Sequence, residues 1–157
     1  MAGHSSKHDR VPVLPYLTLM GFYTSVFGGL LALGAKKKML PKHVSAGDIL
    51  LLGVATHRLS RIATRDKVAA PLRKPFTVYE GPAGAGEVNE RARGKGLRRA
   101  IGTLVTCEYC VGPWIASALF AALVARPRET RVVSSVLAAT AVSDFLHQSY
   151  AFMRKAS

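Results

Sequence analysis

Acidic residues and cysteine are both scarce in this chain of 157 residues, which carries nine Asp and Glu against 22 Lys and Arg, and two cysteines. Two cysteines exclude a disulfide-rich scaffold, and alone they are too few for a closed zinc or iron–sulfur site of four thiolates. The shortage of acid leaves a formal net charge of +13. Anionic partners, either lipid headgroups or nucleic acid, are compatible with such a charge.

Charge is missing altogether from one long run near the N-terminus. Residues 11–35 contain no charged side chain, and a helix needs about 20 apolar residues to cross a bilayer. We therefore predict a polar tail over residues 1–13 and a transmembrane helix over 14–34. The cluster Lys36-Lys37-Lys38 is typical of a stop-transfer signal and favours an uncleaved anchor, with a cleaved signal sequence as the alternative.

Two further apolar runs predict transmembrane helices over residues 104–125 and 132–153. Glu108 and Asp144 are the formal charges within them. The connection RPRETR is short, so these two helices form an antiparallel hairpin.

An amphipathic helix is predicted over residues 46–64, and the spacing of Ser45 and Asp48 resembles a capping box. Its apolar positions fall on one face, whereas Arg58 and Arg61 fall on another. The uncharged part is too short to cross a bilayer. We expect this helix to be interfacial, re-entrant or packed within the bundle, with crossing of the membrane as the alternative.

Residues 65–100 are predicted to form a basic loop, since they carry nine Lys and Arg and a Gly-Pro-rich stretch. Cytoplasmic loops carry an excess of such cations. The predicted fold class is therefore an all-α integral membrane helical bundle with three transmembrane helices, the amphipathic helix and an outside N-terminus. If the amphipathic helix crosses as well, the N-terminus lies inside and the charge difference between the two sides is smaller.

Cys107 and Cys110 form a CxxC pair at the entrance to the second apolar run. One reading is structural packing beside Trp114, an aromatic anchor at the membrane interface. A second is a zinc or iron site completed by His57 or by a second subunit. A third is thiol redox chemistry, since a helix N-terminus activates a thiol.

Asp144 and His147 lie on a polar stripe of the last apolar run. An ionisable group inside a span is expensive and usually faces the bundle interior. The stripe is therefore a proton or ion relay, or Asp144 is the structural partner of Arg58 or Arg61, or Asp144 lies close enough to the membrane surface to be solvated. No Ser-His-Asp set, paired carboxylates or phosphate-binding loop is recognisable, so no catalytic residue is predicted.

Two blocks, ATHRLSRIATRDKVAAPLRKPF at 55–76 and GLRRAIGTLVTCEYCVGPW at 96–114, resemble the paired signatures of a bacterial family of small membrane proteins of unknown function, the YjcA-like sporulation protein family. The resemblance implies membrane residence and no catalytic role or cofactor. We expect the two blocks to meet in one polar cluster. The matching residues are Arg58, Arg61, Asp66, Arg73, Pro75, Phe76, Cys107, Cys110, Gly112 and Trp114.

Together these features predict a multi-pass protein of the cytoplasmic membrane with its basic loop in the cytoplasm. The expected role is a non-enzymatic scaffold or subunit of a membrane complex. Its expected partners are another protein or a second copy of the chain, together with anionic lipid headgroups. The alternatives are a membrane thiol-redox or metal-binding protein that uses Cys107 and Cys110, and a basic loop that binds nucleic acid.

Overall fold

The computed structural model describes residues 13–84 and 86–156, over which the chain is predominantly helical with one two-stranded sheet. Apart from Val13, the predicted polar tail lies outside the described residues. In chain order the elements are α1 (Val13–Lys36), α2 (Ala46–Thr64), a 3-10 turn (Lys67–Ala69), α3 (Ala70–Arg73), β1 (Thr77–Gly84), β2 (Glu87–Ala92), α4 (Gly96–Leu104), α5 (Glu108–Ala125) and α6 (Pro127–Ala156).

Helix α2 lies against both α5 and α6, and the small apolar core forms where these helices meet. Its start is the predicted one, because the Ser45 hydroxyl accepts a hydrogen bond of 3.0 Å from the amide of Asp48. The buried core residues are Leu52, Ala55, Leu119 and Leu123, with Ile115, Phe120 and Leu137 packed around them.

Two ion pairs fix the direction of α2. Asp48 near its start lies 2.8 Å from Arg131 near the start of α6, and Arg65 just after its end lies 3.0 Å from Glu108, the first residue of α5. Helix α2 therefore runs antiparallel to α5 and alongside it. We call the end at Asp48 and Arg131 the turn end, because α5 and α6 are joined there, and the end at Glu108 the hairpin end.

Helix α1 packs on α4 and α5 and runs parallel to α5. The Tyr23 hydroxyl lies 2.8 Å from the Ser117 hydroxyl, and further along α1 Gly34 lines a cavity together with Ala125. The first residues of α1 thus lie towards the hairpin end and its last residues at the turn end. None of the residues of α1 is buried.

These directions change the expected topology. The favoured arrangement placed residues 46–64 on the membrane surface and the N-terminus opposite the basic segment 65–100. In the structure α2 is instead packed lengthwise in the bundle, and the start of α1 lies at the same end as that segment. The arrangement corresponds to the alternative in which α2 runs through the bundle. Carboxylates from distant segments face the arginines of α2. The position of this helix relative to a membrane stays a prediction.

Within the described residues, two helices are long and apolar enough to cross a membrane by length and composition, namely α1 and α5. The first corresponds to the predicted span 14–34. The second begins at Glu108 rather than at 104, because the chain leaves the helix α4 at Leu104 and starts again after Cys107. The third predicted span, 132–153, lies inside the longer helix α6, which is not among the two.

A β hairpin replaces most of the predicted loop, so the chain is not purely α-helical. Strands β1 and β2 pair antiparallel, with Thr77 opposite Ala92, and Gly86 in the turn has a φ of +81°, which favours glycine. Backbone contacts hold the hairpin against the helices. The amide of Val88 donates to the carbonyl of Arg65 at 2.9 Å, and a Cβ on Gly102 would collide with the carbonyl oxygen of Phe76, just before β1, and with Ala92 of β2.

Candidate functional site: an ion-pair cluster at the hairpin end

Arg58 joins three parts of the chain at the hairpin end. Its guanidinium lies 3.5 Å from the carboxylate of Asp66 and 3.0 Å from that of Asp144 on α6. The arginine side chain is 18% exposed, so its charge is neutralised mostly away from water. The structure thus supplies a pairing partner for Asp144, and the proton-relay alternative stays a prediction.

Two further arginines contact both the hairpin and α5: Arg61 lies one turn further along α2, and Arg65 lies just after its end. Arg61 pairs with Glu87 of β2 and lies 4.0 Å from Glu108. Arg65 donates to Glu108 at 3.0 Å and to the side-chain oxygen of Asn89 at 3.3 Å. Glu108 also lies in the first turn of α5, where the helix dipole favours a carboxylate. The blocks 55–76 and 96–114 therefore meet through Glu108.

Arg73 is the most buried charge of the cluster, with 3% of its side chain exposed, and it pairs with Glu90, which is 6% exposed. Its remaining nitrogens donate to the carbonyl oxygens of Ala63 at 3.0 Å and Asp66 at 3.2 Å. One guanidinium thus ties the last turn of α2 and the following bend to strand β2. A buried guanidinium with hydrogen-bond partners of this kind fixes the relative positions of the segments that it joins.

A polar cleft of about 610 Å³ opens beside the cluster, between α2, α6 and the hairpin turn. Both acidic and basic side chains line it, so its walls are largely charge-balanced. His147, on the same polar stripe as Asp144, reaches this cleft. The lining residues are Arg58, Arg61, Asp66, Gly84, Gly86, Glu87, Asp144, His147 and Gln148.

Cys107 and Cys110 are joined in a disulfide at the start of α5. Cys107 is the N-cap residue, and its sulfur accepts a hydrogen bond of 3.2 Å from the amide of Cys110. Cys110 is exposed and Cys107 is half-buried, and the structural-packing interpretation stays a prediction. Zinc and iron bind the thiolate form, so the predicted metal site applies to the reduced chain.

His57, the third predicted metal ligand, is exposed on α2. Across the part of the chain that the structure describes, no group of three or more His, Cys, Asp or Glu side chains is arranged to hold a metal ion. The assignment of zinc or iron to His57 and the two cysteines stays a prediction.

Trp114 links α5 to α1. Its ring centroid lies 5.0 Å from that of Tyr23 and 6.1 Å from that of Phe22. Aromatic pairs at such distances contribute beyond their buried area. The side chain expected to anchor the protein at an interface therefore also positions the first helix.

A separate ion pair, between Arg131 and Asp48, lies at the turn end. Arg131 donates to both carboxylate oxygens of Asp48, at 2.8 and 2.9 Å. The Ser45 hydroxyl also donates to this carboxylate, at 2.9 Å. This pair fixes the start of α2 to the start of α6.

Sequence reasoning missed Glu87 and Glu90, the partners of Arg61 and Arg73. They were placed in a loop, and no role was given to them. A signal was available, because a chain with so few acids has few partners for its arginines, and the segment Glu87–Glu90 has an apolar residue, Val88, between polar neighbours as a half-buried strand does.

The geometry defines a class: a small, mostly helical protein with two apolar helices of membrane-spanning length and an arginine–carboxylate cluster at one end of its bundle. Residues 51–150 match a family model described as a protein of unknown function, DUF1360. That match covers more than half of the chain, so the protein belongs to this family. The family resemblance seen in the two sequence blocks is confirmed.

One curated relative supports the same assignment. A stretch of 74 residues is 36% identical to the sporulation protein YjcA of Bacillus subtilis (strain 168), covering 45% of this chain and 63% of the relative. The chain thus spans less than two thirds of the length of the relative that it matches. No solved structure gives a significant match to this chain.

Proposed function

We propose that this chain is a multi-pass protein of the cytoplasmic membrane that acts as a non-enzymatic scaffold or subunit of a membrane complex. The observation that carries the proposal is the amount of apolar side chain left uncovered on α1 and α6. Leu14 is 76% exposed and Phe145 is 70% exposed, and large apolar residues along both helices are similarly open. In water each exposed Å² of this kind costs about 25 cal/mol, a cost that lipid removes.

Helix lengths agree with a bilayer. The 18 residues of α5 span about 27 Å at a rise of about 1.5 Å per residue, close to the roughly 30 Å hydrocarbon core. Since α2 lies alongside α5, we propose that α1, α2, α5 and α6 all cross. Arg58 and Arg61 are tolerated at the edge of this layer because carboxylates pair with them.

The cations favour a cytoplasmic hairpin end. Several of the basic residues of segment 65–100 are exposed rather than engaged in the cluster, where they can meet anionic headgroups. The turn end carries the smaller group around Lys36 and Arg131. By the positive-inside rule the hairpin end then faces the cytoplasm. The exposed cations of the segment are Lys67, Lys74, Arg91, Arg93, Lys95, Arg98 and Arg99.

A scaffold role follows from what the polar groups already do. The arginines of the cluster bind carboxylates and carbonyl oxygens, and these contacts hold the hairpin on the bundle. The cluster therefore has a structural role. Helix α1, in contrast, offers Gly21, Gly28 and Gly29, at which an added Cβ would meet nothing within 4 Å. Small residues of this kind let a second helix approach closely. We infer that this face receives a helix of a partner protein or of a second copy.

The test starts from membranes of cells that produce the full-length protein. We expect it to stay in the membrane at alkaline pH, to dissolve only with detergent, and to elute from gel filtration with a partner or as an oligomer. Gly28→Leu fills the open face and should release the single chain. Ala139→Leu also introduces a leucine, on the exposed side of α6, and should leave the complex intact.

Two results would contradict the proposal separately. A chain that is monodisperse in buffer without detergent is not a membrane protein. A wild-type chain that needs detergent but elutes alone from native membranes, with no partner and no second copy, removes the scaffold role and leaves the membrane location standing.

A further inference from the structure

We propose that the Cys107–Cys110 disulfide is a redox-active site that exchanges with a low-molecular-weight thiol such as glutathione. Its two sulfurs differ in access. Cys110 is exposed and Cys107 is half-buried, and the intervening Tyr109 is 91% exposed. Cys110 also lines a groove of about 320 Å³ beside α1. An incoming thiolate must approach a disulfide sulfur directly. Cys110 is therefore the sulfur that is attacked.

The sulfur of Cys107 is positioned to be the leaving group. Cys107 caps α5, and its sulfur already accepts the amide hydrogen bond of Cys110 at 3.2 Å. When the disulfide opens, this bond and the positive end of the helix dipole stabilise negative charge on that sulfur. Neighbouring Glu108 would oppose the charge, but Arg65 neutralises it at 3.0 Å. Better-stabilised thiolates leave faster in disulfide exchange.

The proposed reaction balances in two steps. A glutathione thiolate attacks the sulfur of Cys110, the bond between the protein sulfurs breaks, and its electron pair remains on Cys107. A second glutathione thiolate then attacks the glutathione sulfur of the mixed disulfide and releases Cys110. The two protein thiolates take up protons from water. The protein disulfide gains two electrons, and two glutathione molecules become one molecule of oxidised glutathione.

A purely structural role is poorly served by this disulfide. It joins residues three apart, and closing so short a loop removes little chain entropy from the unfolded state. If the hairpin end faces the cytoplasm, as proposed above, the disulfide also lies in a reducing compartment, where disulfides are usually transient and catalytic or redox-sensing. This last step rests on the proposed function, whereas the two arguments from access and charge do not.

The experiment uses the purified full-length protein in detergent micelles. It is incubated with reduced glutathione, quenched with acid at short times and alkylated with N-ethylmaleimide, and the peptide that holds both cysteines is analysed by mass spectrometry. We expect the disulfide to open while the protein stays folded and to re-form with oxidised glutathione. The early adduct should carry glutathione on Cys110 over Cys107 by about tenfold or more, since the capped sulfur leaves preferentially.

Variants and folding controls keep the outcome clear. Cys107→Ser leaves Cys110 as a lone thiol, which oxidised glutathione should convert to a mixed disulfide with release of one glutathione thiolate. This adduct should persist in the absence of added thiol, because no neighbouring cysteine remains to displace the glutathione. Circular dichroism and gel filtration verify that each sample is folded. A disulfide that opens only when the protein unfolds, thiols that never pair, or equal adducts on both cysteines would each overturn the proposal. Membrane extraction is scored on the same samples, so failure of the membrane proposal is seen separately.

Discussion

The buried pair of Arg73 and Glu90 makes the sharpest prediction, because it carries the connection between the hairpin and the helix bundle. Arg73→Met keeps most of the side-chain volume but removes the charge. It leaves the carboxylate of Glu90 buried without its cation and the carbonyl oxygens of Ala63 and Asp66 without their donors. Glu90→Gln tests the same pair from the other side.

The expected cost follows from burial. Both side chains are more than nine-tenths buried, and breaking a buried pair by removing one partner costs about 3–5 kcal/mol. The double variant Arg73→Met with Glu90→Gln should cost less than the sum of the two single changes, because it leaves no uncompensated charge. We expect a coupling free energy of about 1–3 kcal/mol.

The assay is equilibrium unfolding in mixed detergent micelles, followed by circular dichroism, with hydrogen exchange of the hairpin amides as a local readout. Arg91→Ala is the matched control, since Arg91 pairs with Glu80 on the same hairpin at 2.9 Å but both are exposed. Surface pairs contribute roughly 0–1 kcal/mol. If Arg73→Met costs no more than this control and the hairpin amides stay protected, the hairpin is not held as described.

Three further predictions concern other contacts. Gly102→Ala should destabilise by about 1–3 kcal/mol, because the added methyl collides with the strand backbone, whereas Gly53→Ala on an open face should be neutral or stabilising by up to roughly 1 kcal/mol in the same unfolding assay. Arg58→Asp should destabilise the bundle and Asp144→Arg added to it should restore part of the loss, which a double-mutant cycle measures; no restoration would mean that the two side chains do not pair. Asp48→Asn should destabilise the bundle in the same unfolding assay, because it removes the carboxylate that accepts both hydrogen bonds from Arg131; a variant as stable as wild type would contradict the pairing.

The helices were predictable because their signals are local. A charge-free run, a serine cap and a stop at three lysines mark α1 and the start of α2, and the observed helices follow them closely. The hairpin was not predictable in the same way. Residues 77–92 are rich in glycine and contain Pro82, which indicates a loop, and the strands gain their stability from contacts with α2 and α4 that sequence spacing does not reveal.

The candidate site was predicted in part for the same reason. The arginine positions on α2 follow from helical periodicity, and Asp144 stood out as a charge inside an apolar run. Which carboxylate meets which arginine depends on how α2, α6 and the hairpin pack, and the partners lie far apart in sequence, as Arg61 and Glu87 do. For the same reason the sequence did not decide between a surface and a bundle position for α2, because its arginines suit lipid headgroups and distant carboxylates equally well.

The membrane topology is tested most directly by cysteine accessibility in intact cells. In a chain whose two native cysteines are replaced by serine, Lys37→Cys probes the turn end and Glu80→Cys probes the hairpin end, both at exposed positions. A membrane-impermeant maleimide should label position 37 in intact cells and position 80 only after the membrane is opened. Equal labelling of the two positions in intact cells, or protection of both, would contradict the four-helix crossing.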